Sequence, residues 1–399
     1  MLRRGLSAIC GCYLMCSTAF AEQQTFAFDF TPGGNAAGHP AYDRQVGYGF
    51  EPGTTRRFSV RVPEGNYRVT LRLGGKRDRT HVRVFAEQRR LMLEDVAIEQ
   101  VFERTFIVNV RTPDLAPLPA NATGGTRVAL KPRELGSATW DDKLTLAFAG
   151  DASVSSLRIA RAEVPTLYLA GDSTVTDQGI APSASWGQML PRFFGPDLAI
   201  ANHAESGETL KSFVTELRLD KLLSTLRSGD WVMIQFGHND QKAQWPQTYA
   251  EAATTYRSWL RTYVAEVRRR GATPILVTSP ERRNFDAAGR IAPSLGEYPD
   301  AVRAVAQEES VALIDLNPLS CRFYEALGPG AAARAFADEG RDKTHHNEYG
   351  AYALARMVVE GVRAADPRLA AGLGKHLAAD AGSFDPANPS PPPHASPSP

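Results

Sequence analysis

Five apolar runs from Pro165 onward constrain the fold more than any other feature of this sequence. They are PTLYLAGDS, DLAIANHAESG, DWVMIQFGHND, TPILVTSP and VALIDLN, and each leads into a polar or glycine-rich loop. Helical segments lie between them, and the clearest is TYAEAATTYRSWLRTYVAEVRRRG, whose apolar residues recur on one face. Alternating strands and helices predict a doubly wound α/β domain with a parallel sheet. Such sheets bind ligands at the carboxyl ends of their strands.

Residues 24–163 show a different pattern, because short segments with alternating apolar and polar residues follow one another there. These segments are TFAFDF, RRFSVRV, YRVTLRLGG, THVRVFAE, RTFIVNVR, DKLTLAFAG and SVSSLRIARAEV. Turn-forming stretches separate them, and none has sustained helical periodicity. We therefore expect an all-β sandwich domain over residues 22–163 and the α/β domain over residues 164–377.

Both ends of the chain predict segments outside these domains. Two arginines, a short apolar stretch and an AFA tripeptide predict a cleaved signal peptide over residues 1–21. The alternative is an uncleaved anchor. Residues 378–399 are rich in proline and are expected to form a disordered tail. No segment after the signal approaches the ~20 apolar residues of a membrane span. Because of the predicted signal peptide, we expect an exported protein, periplasmic or extracellular.

Charge and cysteine content argue against several classes of function. The chain of 399 residues has a formal net charge of +1, and loss of the signal peptide with its two arginines changes this to −1. Neither nucleic acid nor an anionic membrane is therefore an expected partner. Only Cys321 remains after cleavage, so no internal disulfide is expected. Cysteines and histidines lack zinc-site spacing, and we predict no metal and no cofactor.

Four polar blocks lie at the carboxyl ends of the predicted strands or in the loops beyond them. They contain Ser173 in GDS, Gly207 in ANHAESGETLKSF, Asn239 in FGHND, and Asp342 and His345 in RDKTHHNEYGAYALARM. A serine hydroxyl becomes a nucleophile when a general base lies within hydrogen-bond reach, and that base needs an orienting carboxylate. His345 is the candidate base and Asp342 its orienting group.

The same blocks supply candidate donors for an oxyanion hole. These are the backbone N–H groups of Ser173 and Gly207 and the side-chain amide of Asn239. Ser173 is expected at the start of a helix, whose dipole would strengthen its N–H as a donor. The D-x-x-H spacing favours His345 over His346, which is then expected at the surface or at the rim of the site. The remaining polar residues of the blocks are interpreted as structural: Asp172, His203, His238 and Asp240.

Taken together, the four blocks resemble those of the SGNH, or GDSL-type, hydrolases over roughly residues 165–365. The resemblance implies a flavodoxin-like α/β/α sandwich and ester hydrolysis through an acyl-enzyme. It also implies four hallmark residues in family order: Ser173, Gly207, Asn239 and His345. The stretches GDSTVTDQ, SWGQMLPRFF, FGHNDQK, SPERRNFD and DKTHHNEYGAYALA further resemble the rhamnogalacturonan acetylesterase-like carbohydrate esterases. That branch implies a galactose-binding-like, jelly-roll-like module at the N-terminus.

The expected function is therefore a secreted serine esterase that removes acetyl groups from plant cell-wall polysaccharide, first of all rhamnogalacturonan. Its partner is an acetylated polysaccharide or oligosaccharide. Trp186, Arg282 and Arg283 are candidates for substrate binding, because sugars stack on aromatic faces and arginine pairs with carboxylates. A place in the core is the alternative for Trp186. Alternative functions are an acetylxylan or other carbohydrate esterase, a GDSL lipase or thioesterase, and a non-catalytic carbohydrate-binding protein.

Overall fold

The N-terminal domain is a sandwich of two antiparallel sheets. The computed structural model describes residues 25–74, 80–98, 100–121, 124–150 and 154–390. The strands of this domain are β1 (Thr25–Asp29), β2 (Tyr48–Phe50), β3 (Arg57–Arg61), β4 (Gly65–Leu73), β5 (Thr80–Ala86), β6 (Arg90–Ile98), β7 (Phe102–Val110), β8 (Lys143–Gly150) and β9 (Val154–Arg161). One sheet has the order β1-β9-β4-β7, and the other has the order β2-β3-β8-β5-β6. The predicted all-β domain is thereby confirmed.

Two strands of the sandwich, β2 and β6, were not predicted from the sequence. In β6 the residues Leu91, Met92 and Leu93 are all buried, so the strand lacks the alternation of a half-exposed strand. Met92 and Leu93 belong to the core of the sandwich, whereas Leu91 packs in a core of the second domain. Contact with both domains therefore explains why β6 lacks the period of two.

The second domain contains a five-stranded parallel sheet. Its strands are β10 (Thr166–Gly171), β12 (Ala199–Asn202), β13 (Trp231–Gln235), β14 (Thr273–Val277) and β15 (Ala312–Ile314), and a short antiparallel pair joins β11 (Ser183–Ala184) to β16 (His346–Asn347). The order β12-β10-β13-β14-β15 is that of flavodoxin-like sheets. The doubly wound fold and its five apolar strands are confirmed.

Helices cover both faces of this sheet. They are α1 (Trp186–Met189), α2 (Leu210–Thr215), α3 (Arg218–Thr225), α4 (Arg257–Arg269), α5 (Tyr298–Glu308), α6 (Leu316–Ala332, with a break at Gly328), α7 (Glu348–Ala364) and α8 (Pro367–Gly372). Residues of α3, α4 and α5 share one core with alternate residues of β10, and residues of α1, α6 and α7 share the other. Within the described ranges, no helix combines the length and apolar character needed to cross a bilayer.

The C-terminal segment is ordered further than the sequence suggested. Phe384 packs against the core that contains α7, and its N–H donates to Glu360 at 2.9 Å. The Tyr349 hydroxyl donates to the carbonyl of Ser390 at 2.6 Å. Residues 378–390 therefore differ from the expected disordered tail, because side chains of α7 bind their backbone. Residues 391–399 and the predicted signal peptide lie outside the described residues.

Buried ion pairs join the two domains beside the carboxyl edge of the sheet. Arg90 of β6 donates through Nε to Asp177 at 2.6 Å, and both side chains are only 2% exposed. The other carboxylate oxygen of Asp177 accepts from Asn202, at the end of β12, at 2.8 Å. In a second pair, Arg218 Nη2 lies 2.6 Å from Glu134 of the sandwich. Docking of the sandwich therefore fixes the loops that follow β10 and β12.

We expect Arg90→Met to lower the free energy of unfolding by about 3–5 kcal/mol, because Asp177 would remain buried without its cation. Chemical denaturation followed by circular dichroism measures this change. The control is Arg127→Met, which removes an exposed ion pair to Asp114 of 2.8 Å. That pair should contribute at most about 1 kcal/mol. An equally small effect of both substitutions would contradict the prediction.

Candidate active site

Ser173 lies in a tight turn directly after β10, at the carboxyl edge of the sheet. The buried side chain of Asp172 accepts hydrogen bonds from the N–H and the hydroxyl of Thr174, both at 2.9 Å. A Cβ at Gly171 would lie 2.9 Å from the carbonyl oxygen of Gln235, so only glycine fits where the turn begins. No helix starts at Ser173 in the described structure, because turns, bends and the short strand β11 lie between Ser173 and α1. The prediction of a helix dipole at its N–H is therefore wrong.

Ser173, His345 and Asp342 form a continuous chain of hydrogen bonds. The Oγ of Ser173 lies 2.9 Å from Nε2 of His345, and Nδ1 of His345 lies 2.7 Å from the Asp342 carboxylate. Because a carboxylate only accepts, Nδ1 carries the proton and Nε2 is free to accept from the serine hydroxyl. The geometry is that of an activated serine nucleophile with its base and orienting acid.

The D-x-x-H spacing works through a local turn. One oxygen of Asp342 accepts the N–H of Thr344 at 2.7 Å and that of His345 at 2.8 Å. Although partial burial raises the pKa of Asp342, these bonds and the bond to the His345 ring hold that pKa well below its ordinary value. The group beside the imidazole is therefore a carboxylate, which stabilises the imidazolium formed when His345 takes a proton.

The adjacent His346 has a different environment. Its Nε2 lies 2.7 Å from the hydroxyl of Tyr324, and its ring lies 4.4 Å from the ring of Phe336. Burial lowers the pKa of His346 to about 3, which keeps the ring neutral. The structure thus brings His345, and not His346, to Ser173. The expected surface or rim position of His346 is wrong, since the ring is buried between aromatic side chains.

The candidate oxyanion donors lie in the loops after β10, β12 and β13. Gly207 adopts a φ of 85°, which glycine tolerates without strain. Asn239 donates through Nδ2 to the carbonyl of Glu208 at 3.0 Å, and its second amide hydrogen remains available. In the part of the chain that the structure describes, no acceptor is bound to the backbone N–H of Ser173 or Gly207.

Buried polar residues support these loops. Asp240 accepts the N–H of Leu210 at 2.9 Å and that of Gly237 at 3.0 Å, and burial raises the pKa of Asp240 to about 7. His238 lies 3.3 Å from the carboxylate of Asp172. His203 packs against the rings of Trp140 and Tyr168. These contacts agree with the structural interpretation of Asp172, His203, His238 and Asp240.

Of the two positions predicted for Trp186, the structure supports the place in the core and not the contact with substrate. The side chain is fully buried, and its Nε1 donates to Gln235 at 2.7 Å. Gln235 in turn donates to the hydroxyl of Thr174 at 2.6 Å. A buried indole cannot stack on a sugar, and Trp186 instead supports the turn that carries Ser173.

An exposed aromatic side chain, Trp245, was missed. It is 48% exposed and lies in the loop after Asn239. Lys242 links the two residues, because its Nζ lies 4.5 Å from the Trp245 ring and donates to Asn239 Oδ1 at 2.7 Å. The local signal was the sequence QWPQ, in which a tryptophan stands among loop-forming polar residues.

The two candidate arginines flank the site and are partly exposed. Arg282 donates to the hydroxyl of Ser294 at 3.1 Å and to the carbonyl of His238 at 3.4 Å. The guanidinium of Arg283 lies 5.3 Å from the ring of Phe336, and its backbone N–H donates to Lys343, beside Asp342, at 2.8 Å. Their contact with substrate stays a prediction.

A cleft of about 560 Å³ adjoins the site, and both domains line it. Among its lining residues are Gln88, Arg133 and Thr139 of the sandwich and Gln178, Ser206 and Asp342 of the α/β domain. Gln178 also donates to the carbonyl of Ser173 at 2.7 Å. No local pattern in the sequence predicts that the sandwich reaches this site, because the contact is created by domain docking. Within the described ranges, no group of three or more His, Cys, Asp or Glu side chains is placed to hold a metal ion.

This chain is similar to known acylhydrolases and acetylesterases. Residues 169–353 match the GDSL-like Lipase/Acylhydrolase family. The rhamnogalacturonan acetylesterase RhgT of Bacillus subtilis (strain 168) is 41% identical over 209 residues, which are 49% of this chain and 88% of that protein. The probable rhamnogalacturonan acetylesterase YesY of the same strain is 36% identical over 203 residues, which are 49% of this chain and 92% of that protein.

Similarity to a solved structure extends over both domains. The crystal structure of protein YxiM from Bacillus subtilis is 26% identical, with a TM-score of 0.50, and the alignment covers 85% of this chain and 98% of that one. The 41% identity to RhgT, the family match over residues 169–353 and the similarity to YxiM together establish the family of this chain. This chain is a carboxylic ester hydrolase and belongs to the GDSL-like lipase/acylhydrolase family.

Proposed function

We propose that this enzyme is an exported serine esterase that removes acetyl groups from plant cell-wall polysaccharide, with acetylated rhamnogalacturonan as its substrate. The observation that carries the reaction is the hydrogen-bond chain from Ser173 through His345 to Asp342, with distances of 2.9 and 2.7 Å. The identity to RhgT and YesY supports a carbohydrate acetyl ester as the substrate.

The first half of the reaction acylates the enzyme. Ser173 Oγ attacks the acetyl carbonyl carbon while its proton moves to Nε2 of His345. Asp342 stabilises the resulting imidazolium. The negative oxygen of the tetrahedral intermediate accepts hydrogen bonds from the N–H groups of Ser173 and Gly207 and from the Asn239 amide. The bond to the sugar oxygen then breaks, and His345 gives its proton to that oxygen.

The second half of the reaction restores the enzyme. His345 takes a proton from water, and the hydroxide attacks the acetyl carbon bound to Ser173. The second tetrahedral intermediate uses the same donors, and its collapse breaks the bond to Ser173 Oγ. The proton on His345 returns to Ser173, and acetic acid leaves and ionises to acetate and a proton in solution. Water is the only co-substrate, so atoms and protons balance.

The shape of the site supports a large, polar leaving group. The cleft of about 560 Å³ is far larger than an acetyl group and leaves room for sugar residues beside Asp342. The exposed Trp245, and not the buried Trp186, is the proposed stacking partner of a sugar ring beyond Asn239. Arg282 and Arg283 are the proposed partners of galacturonate carboxylates.

Export follows from the same proposal. Plant polysaccharides are too large to enter a cell intact, so an enzyme that acts on them works in the periplasm or outside the cell. The proposed signal peptide over residues 1–21 provides the route.

We expect Ser173→Ala to reduce acetate release by at least about 10⁴-fold, because removal of a triad nucleophile leaves only binding and the oxyanion donors. Acetate release and circular dichroism measure activity and folding on the same sample. The matched control is Ser258→Ala, since Ser258 lies exposed on α4. Equal acetate release by wild type and Ser173→Ala would contradict the mechanism.

We expect kcat/KM to be highest for acetylated rhamnogalacturonan within a panel that also contains acetylated xylan, acetylated homogalacturonan and 4-nitrophenyl esters of increasing chain length. The reason is the cleft of about 560 Å³ beside Asp342, because most of its lining residues carry polar side chains that can bind sugar hydroxyls. Faster acetate release from xylan would assign a different polysaccharide. Preference for long acyl esters would indicate a lipase or thioesterase.

We expect Trp245→Ala to raise KM for acetylated rhamnogalacturonan about 10-fold, the equivalent of about 1.4 kcal/mol of lost contact, and to leave KM for 4-nitrophenyl acetate unchanged. Trp186→Phe is the matched variant at a buried indole. It should lower the free energy of unfolding by about 1–3 kcal/mol without raising KM, because it leaves Gln235 unsatisfied. The opposite pattern would return the stacking role to Trp186.

A further inference from the structure

We propose that the β-sandwich domain completes the oxyanion hole: Lys131 and Arg133 are positioning residues that hold the Ser206–Gly207 peptide so that the Gly207 N–H faces the reacting oxygen. This inference rests on the proposed function, in which Gly207 donates to the oxyanion. Neither cation belongs to the four blocks of the α/β domain. Both lie in the segment of the sandwich between β7 and β8.

Two cationic side chains bind the same carbonyl oxygen. Lys131 Nζ donates to the carbonyl of Ser206 at 2.9 Å. Arg133 Nη2 donates to that oxygen as well, while its Nε donates to Glu205 at 2.7 Å. The carbonyl of Ser206 therefore faces the sandwich and is held there by charge-assisted hydrogen bonds.

The planar peptide transmits this contact to Gly207. The carbonyl of Ser206 and the N–H of Gly207 belong to one trans peptide unit, so they point in opposite directions. A donor bound at the carbonyl thus fixes the direction of the N–H. Gly207 has the conformational freedom of glycine, so the loop does not set this plane by its own steric limits. Positive charge at the carbonyl also polarises the peptide and strengthens its N–H as a donor.

Lys131 also acts on the residue that follows Gly207. Its Nζ binds the carboxylate of Glu208, which is fully buried. The Oγ of Ser212 donates to the same carboxylate at 2.6 Å, and Arg218 Nε lies 3.4 Å from it. The carbonyl of Glu208 accepts the Asn239 amide at 3.0 Å. Lys131 therefore anchors both sides of Gly207. Through Glu208, it also helps to position Asn239, which is another candidate donor to the oxyanion.

The buried side chain of Glu134 anchors the segment that carries the two cations. Glu134 accepts the N–H of Lys131 at 2.8 Å and the guanidinium of Arg218 at 2.6 Å through the same oxygen. Its other oxygen accepts the Trp140 indole N–H at 2.8 Å. Lys131 and Arg133 thus approach Ser206 from a fixed base, as a positioning role requires.

A purely adhesive role is the alternative, because other cations cross the same interface. Lys221 of α3 is the matched case: its Nζ donates to Glu64 at 2.8 Å and to the carbonyl of Asp114 at 2.7 Å. Like Lys131, it joins one carboxylate and one carbonyl across the domains. Its bonds go to the sandwich and not to the Gly207 loop, so it reports on docking alone.

The test measures steady-state kinetics of Lys131→Met, Arg133→Met and the double variant with 4-nitrophenyl acetate. Loss of one oxyanion donor lowers kcat by about 10²–10³-fold. Because these variants misplace the donor rather than remove it, we expect kcat to fall about 10-fold in each single variant and about 100-fold in the double variant. KM should not change. Lys131→Arg should restore most of the activity, and the rate of inactivation by a 4-nitrophenyl phosphonate should fall in parallel with kcat. Lys221→Met should lower the melting temperature and leave kcat unchanged.

Wild-type kcat in the double variant would overturn the inference. An equal fall of kcat in Lys221→Met would also overturn it, by assigning the effect to docking. Arg133 has a half-exposed side chain, so Arg133→Met is expected to fold even where Lys131→Met is unstable. Because 4-nitrophenyl acetate carries no sugar, failure of the polysaccharide panel would concern only the proposed substrate. Ser173→Ala, measured in parallel, shows that the hydrolysis comes from this site.

Discussion

The position of β10 in the middle of the parallel sheet is the constraint on which the rest of the site depends. Its residues Leu167 and Leu169 pack into one core, and Tyr168 and Ala170 pack into the other. A shift by one residue would exchange these two sets, so the register of the strand is fixed by packing. The turn at its carboxyl end, with Ser173, is therefore placed by the core and not by the loop itself.

From that fixed point, the site is assembled from loops whose order along the chain follows from the sheet topology. The loops after β10, β12 and β13 are neighbours because these strands are neighbours. Asp342 and His345 lie in the loop just before α7, and α7 packs on the same face of the parallel sheet as α1. Buried polar contacts then fix each loop, as Asp240 does between the loops after β12 and β13.

Much of this arrangement can be predicted from local sequence patterns. Apolar runs fixed the five strands, and the D-x-x-H spacing distinguished His345 from His346, because both depend on residues close together in the chain. The errors concern contacts between distant segments. The sequence left a sugar contact and a core position open for Trp186, because its packing in the core and its hydrogen bond to Gln235 join segments distant in the chain. Strand β6 was missed because its second face contacts another domain. Lys131 and Arg133 gave no signal for the same reason.

Both domains hold the Gly207 loop in place, and this constrains how such enzymes can exchange domains during evolution. RhgT aligns over 88% of its length with only 49% of this chain, so it has no room for an equivalent sandwich. In this chain neither the sandwich nor the esterase domain can therefore be exchanged alone. Recombination would have to keep the 131–134 segment together with the Ser206 carbonyl and the Glu205 and Glu208 carboxylates that it binds.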